Sequence, residues 1–195
     1  MYTVIGTSKS RALRVLWMLE EVGLPYDHVP AAPRSDEARR YSPAGKIPAL
    51  VVDGAAITDS VAIMTFLADR HNALTVPAGT LDRARQDGFT QRVNDELDAL
   101  LWTAARHSFI LPEEMRLPAI KDSLKWEVGR SLVRLGDALG ERPFLMGETM
   151  TIPDLLLAHC TRWAVNAKFP VEDARILAHR DRMVARPAFD RAAAR

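Results

Sequence analysis

The chain of 195 residues is 48% hydrophobic and 26% charged, a composition typical of a globular protein with one large domain or two small ones. Its 26 Lys and Arg residues nearly balance 25 Asp and Glu residues, and the net charge of +1 argues against a broad positive field for nucleic acid or an anionic membrane. No apolar run approaches the ~20 residues that span a bilayer, and the start of the chain lacks a signal-peptide pattern, which together predict a cytoplasmic protein.

The first elements form a strand, helix, strand unit. Residues 2–5 are β-prone, residues 10–22 have the apolar spacing of a helix, and Gly23 and Pro25 end that helix. A second β-prone run follows at residues 26–29. The usual right-handed crossover makes two such strands parallel, so the chain is predicted to begin as an α/β domain.

A hairpin and a helix follow a polar, arginine-rich stretch. Two β-prone runs at residues 49–52 and 56–58 flank Asp53 and Gly54, and an Asp-Gly pair between apolar runs is a strong hairpin signal. Asp59 or Ser60 can cap the next helix, which is predicted to reach about residue 71. Residues 72–79 have the composition of a linker.

The second half has helical patterns only. Helical stretches are predicted at about 81–109, 119–139, 152–167 and 172–185, and Thr151 and Asp154 have the spacing of a capping box. Cys160, the only cysteine, lies in an apolar helical segment and is interpreted as a core residue. A single cysteine cannot form an internal disulfide, a CxxC pair or a cysteine-rich zinc site. No metal site is predicted, and any reacting thiol must come from outside the chain.

Three segments together resemble the cytosolic glutathione transferases, in particular bacterial members with a Ser or Thr active site. They are GTSKSRALRVLWMLEEVGLPYD, SPAGKIPALVVDGAAITDSVAI and MTIPDLLLAH, in that order. The resemblance implies a thioredoxin-like α/β domain at residues 1–75, with a βαβ-ββα mixed sheet, and an all-α domain at residues 80–195. It also implies a cytoplasmic homodimer that acts in detoxification, with the long helix from about residue 81 contributing to the dimer.

The segment Lys46-Ile47-Pro48 is predicted to bind the middle and the glycine end of glutathione. An X-Pro bond adopts cis at a cost of only ~0.5–1 kcal/mol, and the resemblance implies that Pro48 is cis and that the Ile47 backbone pairs with the cysteinyl part. The resemblance also implies that Lys46 approaches the glycine carboxylate. The alternatives are a turn proline that starts an edge strand and a solvated lysine.

Asp59-Ser60 is predicted to bind the γ-glutamyl end. A helix N-terminus offers N–H groups and partial positive charge to a carboxylate, Ser60 adds a hydroxyl donor, and Asp59 can accept from an ammonium. The resemblance assigns this acidic-Ser pair to the γ-glutamyl group. Simple N-capping is the alternative, and the two roles are compatible.

The thiolate is predicted to be stabilised by a hydroxyl just after the first strand. The resemblance puts Thr7 at the activating position and Ser10 at the start of the helix, with Ser8 between them. A thiol pKa of ~8.5 lowered by one to two units corresponds to about 1.4–2.7 kcal/mol, which a single hydrogen bond to a charged sulfur can supply. Each hydroxyl can instead cap the first helix, and which of them faces the sulfur is left open.

The resemblance implies a glutathione transferase that joins the glutathione thiolate to small hydrophobic electrophiles. Glutathione is then a co-substrate, and no permanently bound cofactor is predicted. Arg106, His107 and Trp163 are candidates for a second-substrate pocket between the domains, and the sequence does not identify that substrate. The alternatives are a glutathione-dependent disulfide or peroxide reductase, and a non-catalytic binding or scaffold protein with the transferase fold.

Overall fold

Four short strands form one mixed sheet in the computed structural model, which describes residues 1–195. β1 runs parallel to β2 and antiparallel to β3, and β3 runs antiparallel to β4. The order across the sheet is β2-β1-β3-β4. The strands are β1 (Tyr2–Ile5), β2 (Tyr26–Val29), β3 (Ala49–Val52) and β4 (Ala55–Thr58). The predicted βαβ-ββα fold class is therefore confirmed.

The turn between β3 and β4 is formed by Asp53 and Gly54. Both residues have positive φ, at 51° and 79°, as a two-residue type I′ hairpin turn requires. The hairpin predicted from the Asp-Gly pair is confirmed.

Three helices accompany the sheet: α1 (Ala12–Val22), α2 (Asp36–Tyr41) and α3 (Ser60–His71). Every residue of α1 from 12 to 19 is buried, so its first two turns are covered on all sides instead of exposing a polar face. Gly23 ends α1 with a left-handed φ of 74°. A helix covered all round must be packed from more than one direction.

Helix α2 lies in the polar, arginine-rich stretch, for which the apolar pattern predicts no element. Ser35 caps it by accepting a hydrogen bond from the N–H of Ala38 at 3.1 Å. Acidic residues in its first turn and basic residues in its last turn complement the helix dipole. Ala38 is its buried residue and packs in a small apolar cluster with Ile5 and Ala49. Helix α2 thus covers the sheet where β1 ends and β3 begins.

The helical half contains one long helix followed by three others. Helices α4 (Leu81–Val93) and α5 (Ala99–Ala105) are joined by a π-helical turn, and a second π-helical turn, Arg106–Ile110, follows α5. The helix predicted at about 81–109 is therefore confirmed. The others are α6 (Ile120–Leu139), α7 (Ile152–Asn166) and α8 (Ala174–Val184). No helix of the structure is both long and apolar enough to cross a membrane.

The predicted capping box is present at the start of α7. Asp154, which is fully buried, accepts hydrogen bonds from the Thr151 N–H at 2.9 Å and from the Leu145 N–H at 2.8 Å. Its Oδ1 also lies 3.2 Å from Nε2 of the buried His179. Asp154 therefore joins the loop before α7 to helix α8 as well as capping α7.

A last helix, α9 (Pro187–Ala193), packs against α1. Arg186 donates two hydrogen bonds of 2.7 Å to the carboxylate of Glu21, and the indole N–H of Trp17 donates to the same carboxylate at 2.9 Å. The ring of Phe189 meets the Trp17 ring edge to face, with centroids 4.9 Å apart. Packing and charge pairing together hold α9 on α1.

Glu20 forms a second charged cluster at the same helix end. Its carboxylate accepts from Arg191 at 2.6 Å, from the Tyr26 hydroxyl at 2.8 Å and from Arg195 at 3.2 Å. Burial raises the pKa of Glu20, but the hydrogen bonds from Arg191, Tyr26 and Arg195 outweigh burial and hold this pKa below its ordinary value.

By proximity the chain divides into two units, Met1–Ala78 together with Val184–Arg195, and Gly79–Met183. The predicted domain limits, 1–75 and 80–195, stay a prediction, because proximity does not test which segments fold together. The predicted helices end at about residue 185, so the sequence analysis does not predict helix α9.

Candidate functional site

Three of the segments predicted to bind glutathione lie at one edge of the sheet. The pairs Ile5 with Ala49 and Ala49 with Thr58 place the carboxyl ends of β1 and β4 beside the amino end of β3. Segments that directly leave or enter these strand ends therefore lie at one edge. The predicted site residues in those segments are Thr7, Ile47, Pro48, Asp59 and Ser60.

Gly6 brings the end of β1 against Ile47. A side chain built on Gly6 would place its Cβ 3.0 Å from the Cβ atoms of both Ile47 and Ala12, and the φ of Gly6 is 136°. Only glycine accommodates both the close approach and this backbone angle. The Ile47–Pro48 peptide bond is cis, as the resemblance implies.

The Ser10 hydroxyl is used within its own turn. It donates to the Thr7 carbonyl at 2.7 Å and accepts from the Ala12 N–H at 3.1 Å. These two contacts make Ser10 a cap of α1, and its donor proton is occupied.

The hydroxyls of Ser8 and Thr7 differ in what they bind. Ser8 donates to the carbonyl oxygen of Arg195 at 2.8 Å. Oγ1 of Thr7 accepts from the Lys9 N–H at 3.3 Å, and the Thr7 proton has no acceptor within the structure. Of the three predicted hydroxyls, Thr7 is therefore the one whose proton is available to a ligand.

Asp59 caps α3 from an unusual backbone conformation. Its φ of 73° and ψ of 124° lie outside the left-handed helical region, a conformation that non-glycine residues rarely adopt. Its Oδ1 accepts from the N–H groups of Val61 at 2.9 Å and Ala62 at 3.1 Å. The capping role is therefore present, and the exposed Asp59 keeps Oδ2 for another donor.

Ser60 begins α3 and is almost fully buried. Its Oγ accepts a hydrogen bond from Nη1 of Arg14 at 3.3 Å, and Arg14 itself is 1% exposed. The guanidinium of a residue in α1 thus reaches the first residue of α3. A buried cation therefore contacts Ser60, one of the two residues predicted to bind the γ-glutamyl group.

Four predicted residues remain: Lys46, which directly precedes Ile47, and three residues of the helical unit. Lys46 is exposed. In the helical unit, Arg106 donates to the Thr103 hydroxyl at 3.1 Å, and Nδ1 of His107 accepts from a backbone N–H at 3.1 Å. Trp163 lies on α7 with its ring centroid 6.5 Å from that of His159. The role of Arg106, His107 and Trp163 in a second-substrate pocket stays a prediction.

Sequence reasoning missed two residues near the site. Nε2 of His28 lies 2.8 Å from the Gly6 carbonyl oxygen and so supports the turn after β1. Arg14 is the other residue. Its position between apolar neighbours in α1 is visible in the sequence. A charged residue inside an apolar helical run is rarely buried without a polar partner, so Arg14 predicts one.

Known proteins are similar to this chain in sequence. A sequence model described as the glutathione S-transferase N-terminal domain matches residues 10–70. Glutathione S-transferase GstA of Escherichia coli O157:H7 is 30% identical over 156 residues, which cover 78% of this chain and 74% of that protein.

Solved structures give the same result for the fold. A glutathione transferase from Methylococcus capsulatus is similar with a TM-score of 0.86 at 24% identity, over 100% of this chain and 98% of that one. A glutathione transferase family member from Pseudomonas fluorescens, solved with two glutathione molecules bound, has a TM-score of 0.82 at 23% identity, over 98% of this chain and 92% of that one.

Proposed function

This chain belongs to the glutathione S-transferase family, and from that premise we propose that it joins the glutathione thiolate to small hydrophobic electrophiles. The observation that carries the proposal is the Thr7 hydroxyl, whose proton has no acceptor at the sheet edge where Ile47–Pro48 also lies. Glutathione is a co-substrate in this proposal, and detoxification is the role that such a reaction serves.

Thr7 is the group that stabilises the thiolate. A hydrogen bond to a charged acceptor contributes about 1.5–3 kcal/mol, which corresponds to lowering the thiol pKa by about one to two units. Ser10 and Ser8 give their protons to backbone carbonyls instead, at 2.7 Å and 2.8 Å. We therefore assign Thr7 to the sulfur and give Ser8 and Ser10 the role of shaping the turn around it.

The remaining contacts orient the tripeptide. The backbone of Ile47 pairs with the cysteinyl part, and Lys46 attracts the glycine carboxylate. Oδ2 of Asp59 accepts from the γ-glutamyl ammonium, and Ser60 donates to the γ-glutamyl α-carboxylate at the positive end of α3. Together these groups bind both charged ends and leave the sulfur between them.

The reaction forms one bond and breaks another. The thiol proton leaves to water when glutathione binds, and the sulfur lone pair attacks the electrophilic carbon to form a thioether. The leaving group departs with the electron pair of its bond to that carbon. Arg106, His107 and Trp163 are proposed to contact the electrophile, with the Arg106 guanidinium placed to favour an electron-rich leaving group.

In Thr7→Val the side chain keeps its branched shape and loses the hydroxyl, so we expect the pKa of the bound thiol to rise by about one to two units. Turnover of a chloronitrobenzene at neutral pH should fall about 10- to 100-fold while glutathione affinity stays nearly constant. The measurements are thiolate absorbance against pH, steady-state kinetics and calorimetry.

Ser8→Ala is the matched control, because it removes a neighbouring hydroxyl whose proton is already occupied. We expect its thiol pKa to stay close to that of the unaltered protein. Equal thiol pKa values in Thr7→Val and the unaltered protein would remove Thr7 from the mechanism. If calorimetry detects no glutathione binding at millimolar concentration, the chain is a scaffold with the transferase fold.

A second candidate function is glutathione-dependent reduction of disulfides or peroxides. The Pseudomonas fluorescens family member with two glutathione molecules bound favours it, and Cys160 is buried, so both reacting thiols must come from glutathione. Two glutathiones would reduce one disulfide to two thiols and leave as glutathione disulfide. Turnover with a small dialkyl disulfide, compared with a chloronitrobenzene, separates the two functions.

Family membership also supports a cytoplasmic homodimer. Helix α4 is the proposed contributor to the contact between subunits. Sedimentation at several protein concentrations tests the oligomeric state directly.

A further inference from the structure

We propose that Arg14 is a positioning residue for recognition of the γ-glutamyl α-carboxylate, and that it acts by orienting the hydroxyl of Ser60. This inference rests on the proposed function and adds to it a residue that does not touch the substrate. Arg14 lies in α1 and Ser60 lies at the start of α3, separated by 46 positions in the chain.

The chemistry of the two groups sets the direction of the hydrogen bond. A guanidinium has only donors and stays protonated, whereas a hydroxyl has one donor and two acceptor positions. In the contact of 3.3 Å between Arg14 and Ser60, Arg14 must therefore donate and Ser60 Oγ must accept. The Ser60 proton is then directed away from Arg14 and needs another acceptor.

At the N-terminus of α3, Ser60 carries the donors that a ligand carboxylate can bind. Asp59 already occupies the N–H groups of Val61 and Ala62 through its carboxylate, and its carbonyl accepts from the Ile63 N–H at 3.0 Å. Ser60 is the residue of this first turn whose hydroxyl proton and N–H group have no acceptor in the structure. A carboxylate placed there would receive both donors from one residue.

Burial makes the orientation effective. Arg14 and Ser60 are 1% and 3% exposed, so water has little access to compete for the Ser60 lone pairs. The length of 3.3 Å exceeds the usual N–H···O distance of ~2.9–3.0 Å, so the contact directs the hydroxyl without holding it rigidly. Loss of Arg14 should therefore weaken the binding of a ligand that carries the α-carboxylate more than the binding of one that lacks it.

The experiment compares two ligands: glutathione, and an analogue in which the γ-glutamyl α-carboxylate is a neutral amide. The unaltered protein should prefer glutathione. Arg14→Met should lower this preference about tenfold, because a hydrogen bond to a charged group is weakened. In kinetics the loss should appear in KM for glutathione, with kcat nearly unchanged.

A double-mutant cycle with Ser60→Ala separates positioning from a structural effect. In the Ser60→Ala background, Arg14→Met should cause no further loss of preference. Arg14→Lys keeps a donor and should restore most of the preference. Val15→Ala is the matched control, because it removes buried apolar contacts from α1 and should lower stability without changing the preference.

Two results would overturn the inference. One is an unaltered preference in Arg14→Met, and the other is the same loss in both Ser60 backgrounds. If Arg14→Met does not fold, Arg14→Leu, which also lacks a donor, is used in the same cycle with the same expectations. An unaltered protein that binds no glutathione would overturn the proposed function and this inference together, which distinguishes that outcome from failure of the inference alone.

Discussion

At the scale of single residues, hydrogen-bond partners distinguish groups that the sequence shows as equivalent. Thr7, Ser8 and Ser10 all carry hydroxyls within one turn, yet only the proton of Thr7 has no acceptor. Gly6 also shapes the site, because a side chain at this position would clash with Ile47. The chemistry of the site thus depends on a few atoms around one turn.

Tyr26 provides a test of the charged cluster at the end of α1. Burial and the hydrogen bond to Glu20 raise the pKa of Tyr26 to about 12, because the phenolate would form in a partly buried place beside a carboxylate. The neutral phenol is favoured in the folded protein. Its stabilising contribution is therefore complete below pH ~10, the ordinary tyrosine pKa, and is lost as the pH rises through about 12.

An ultraviolet pH titration of the unaltered protein minus that of Tyr26→Phe isolates this group. We expect a midpoint near pH 12. Glu20→Gln is the matched variant, since it removes the neighbouring charge and should move the midpoint toward the ordinary value. A midpoint near ~10 in the unaltered protein would contradict this description of the cluster.

At the scale of elements, short helices depend on contacts that the sequence pattern does not report. Helix α2 has only six residues and one buried side chain, so it lacks the apolar periodicity by which helices are predicted. Helix α9 has seven residues and is likewise held from outside, by α1. Such helices are too short to be stable alone.

The ion pair between Arg186 and Glu21 is expected to stabilise the contact of α9 with α1. The Glu21 side chain is 5% exposed, so Arg186→Met leaves a nearly buried carboxylate without its cation. We expect the free energy of unfolding to fall by about 1–3 kcal/mol, as measured by chemical denaturation.

The matched control is Arg40→Met. Arg40 pairs with Glu37 in α2 at 2.8 Å, but the two side chains are 69% and 34% exposed. A pair of this kind contributes about 0–1 kcal/mol. Equal losses in Arg186→Met and Arg40→Met would show that burial does not strengthen the Arg186 pair.

At the scale of the whole molecule, the chain returns at its end to the unit in which it begins. Residues Val184–Arg195 group with Met1–Ala78. A backbone oxygen of Arg195, two residues after α9, accepts from Ser8, so this segment also contacts the turn that carries Thr7. The predicted boundary at 80–195 assigns these residues to the helical domain instead, and the two assignments lead to different expectations.

Removal of residues 185–195 tests these assignments. Trp17 would lose its contact with Phe189, and Glu20 and Glu21 would lose their arginine partners. We expect hydrogen exchange in α1 to become faster, by roughly 30-fold for a local loss of about 2 kcal/mol, while α6 and α7 keep their protection. Faster exchange in α6 and α7, with α1 unchanged, would instead support the boundary at 80–195.

The sequence by itself determined the features that depend on neighbouring residues. The order of the strands and the longer helices, the Asp53-Gly54 turn and the capping box of Thr151 and Asp154 all follow from local pattern, because each is formed by residues within a few positions of one another. The resemblance also identified Ile47–Pro48, whose cis bond the structure contains.

Only the tertiary structure decided which side chains meet across long separations. Arg14 reaches Ser60 from 46 positions away, and Ser8 binds a carbonyl 187 positions away. Periodicity shows which face of a helix is apolar, but not which residue of another element lies against it. A hydroxyl is free or occupied according to the acceptors that packing brings within about 3 Å, and that packing is a property of the whole fold.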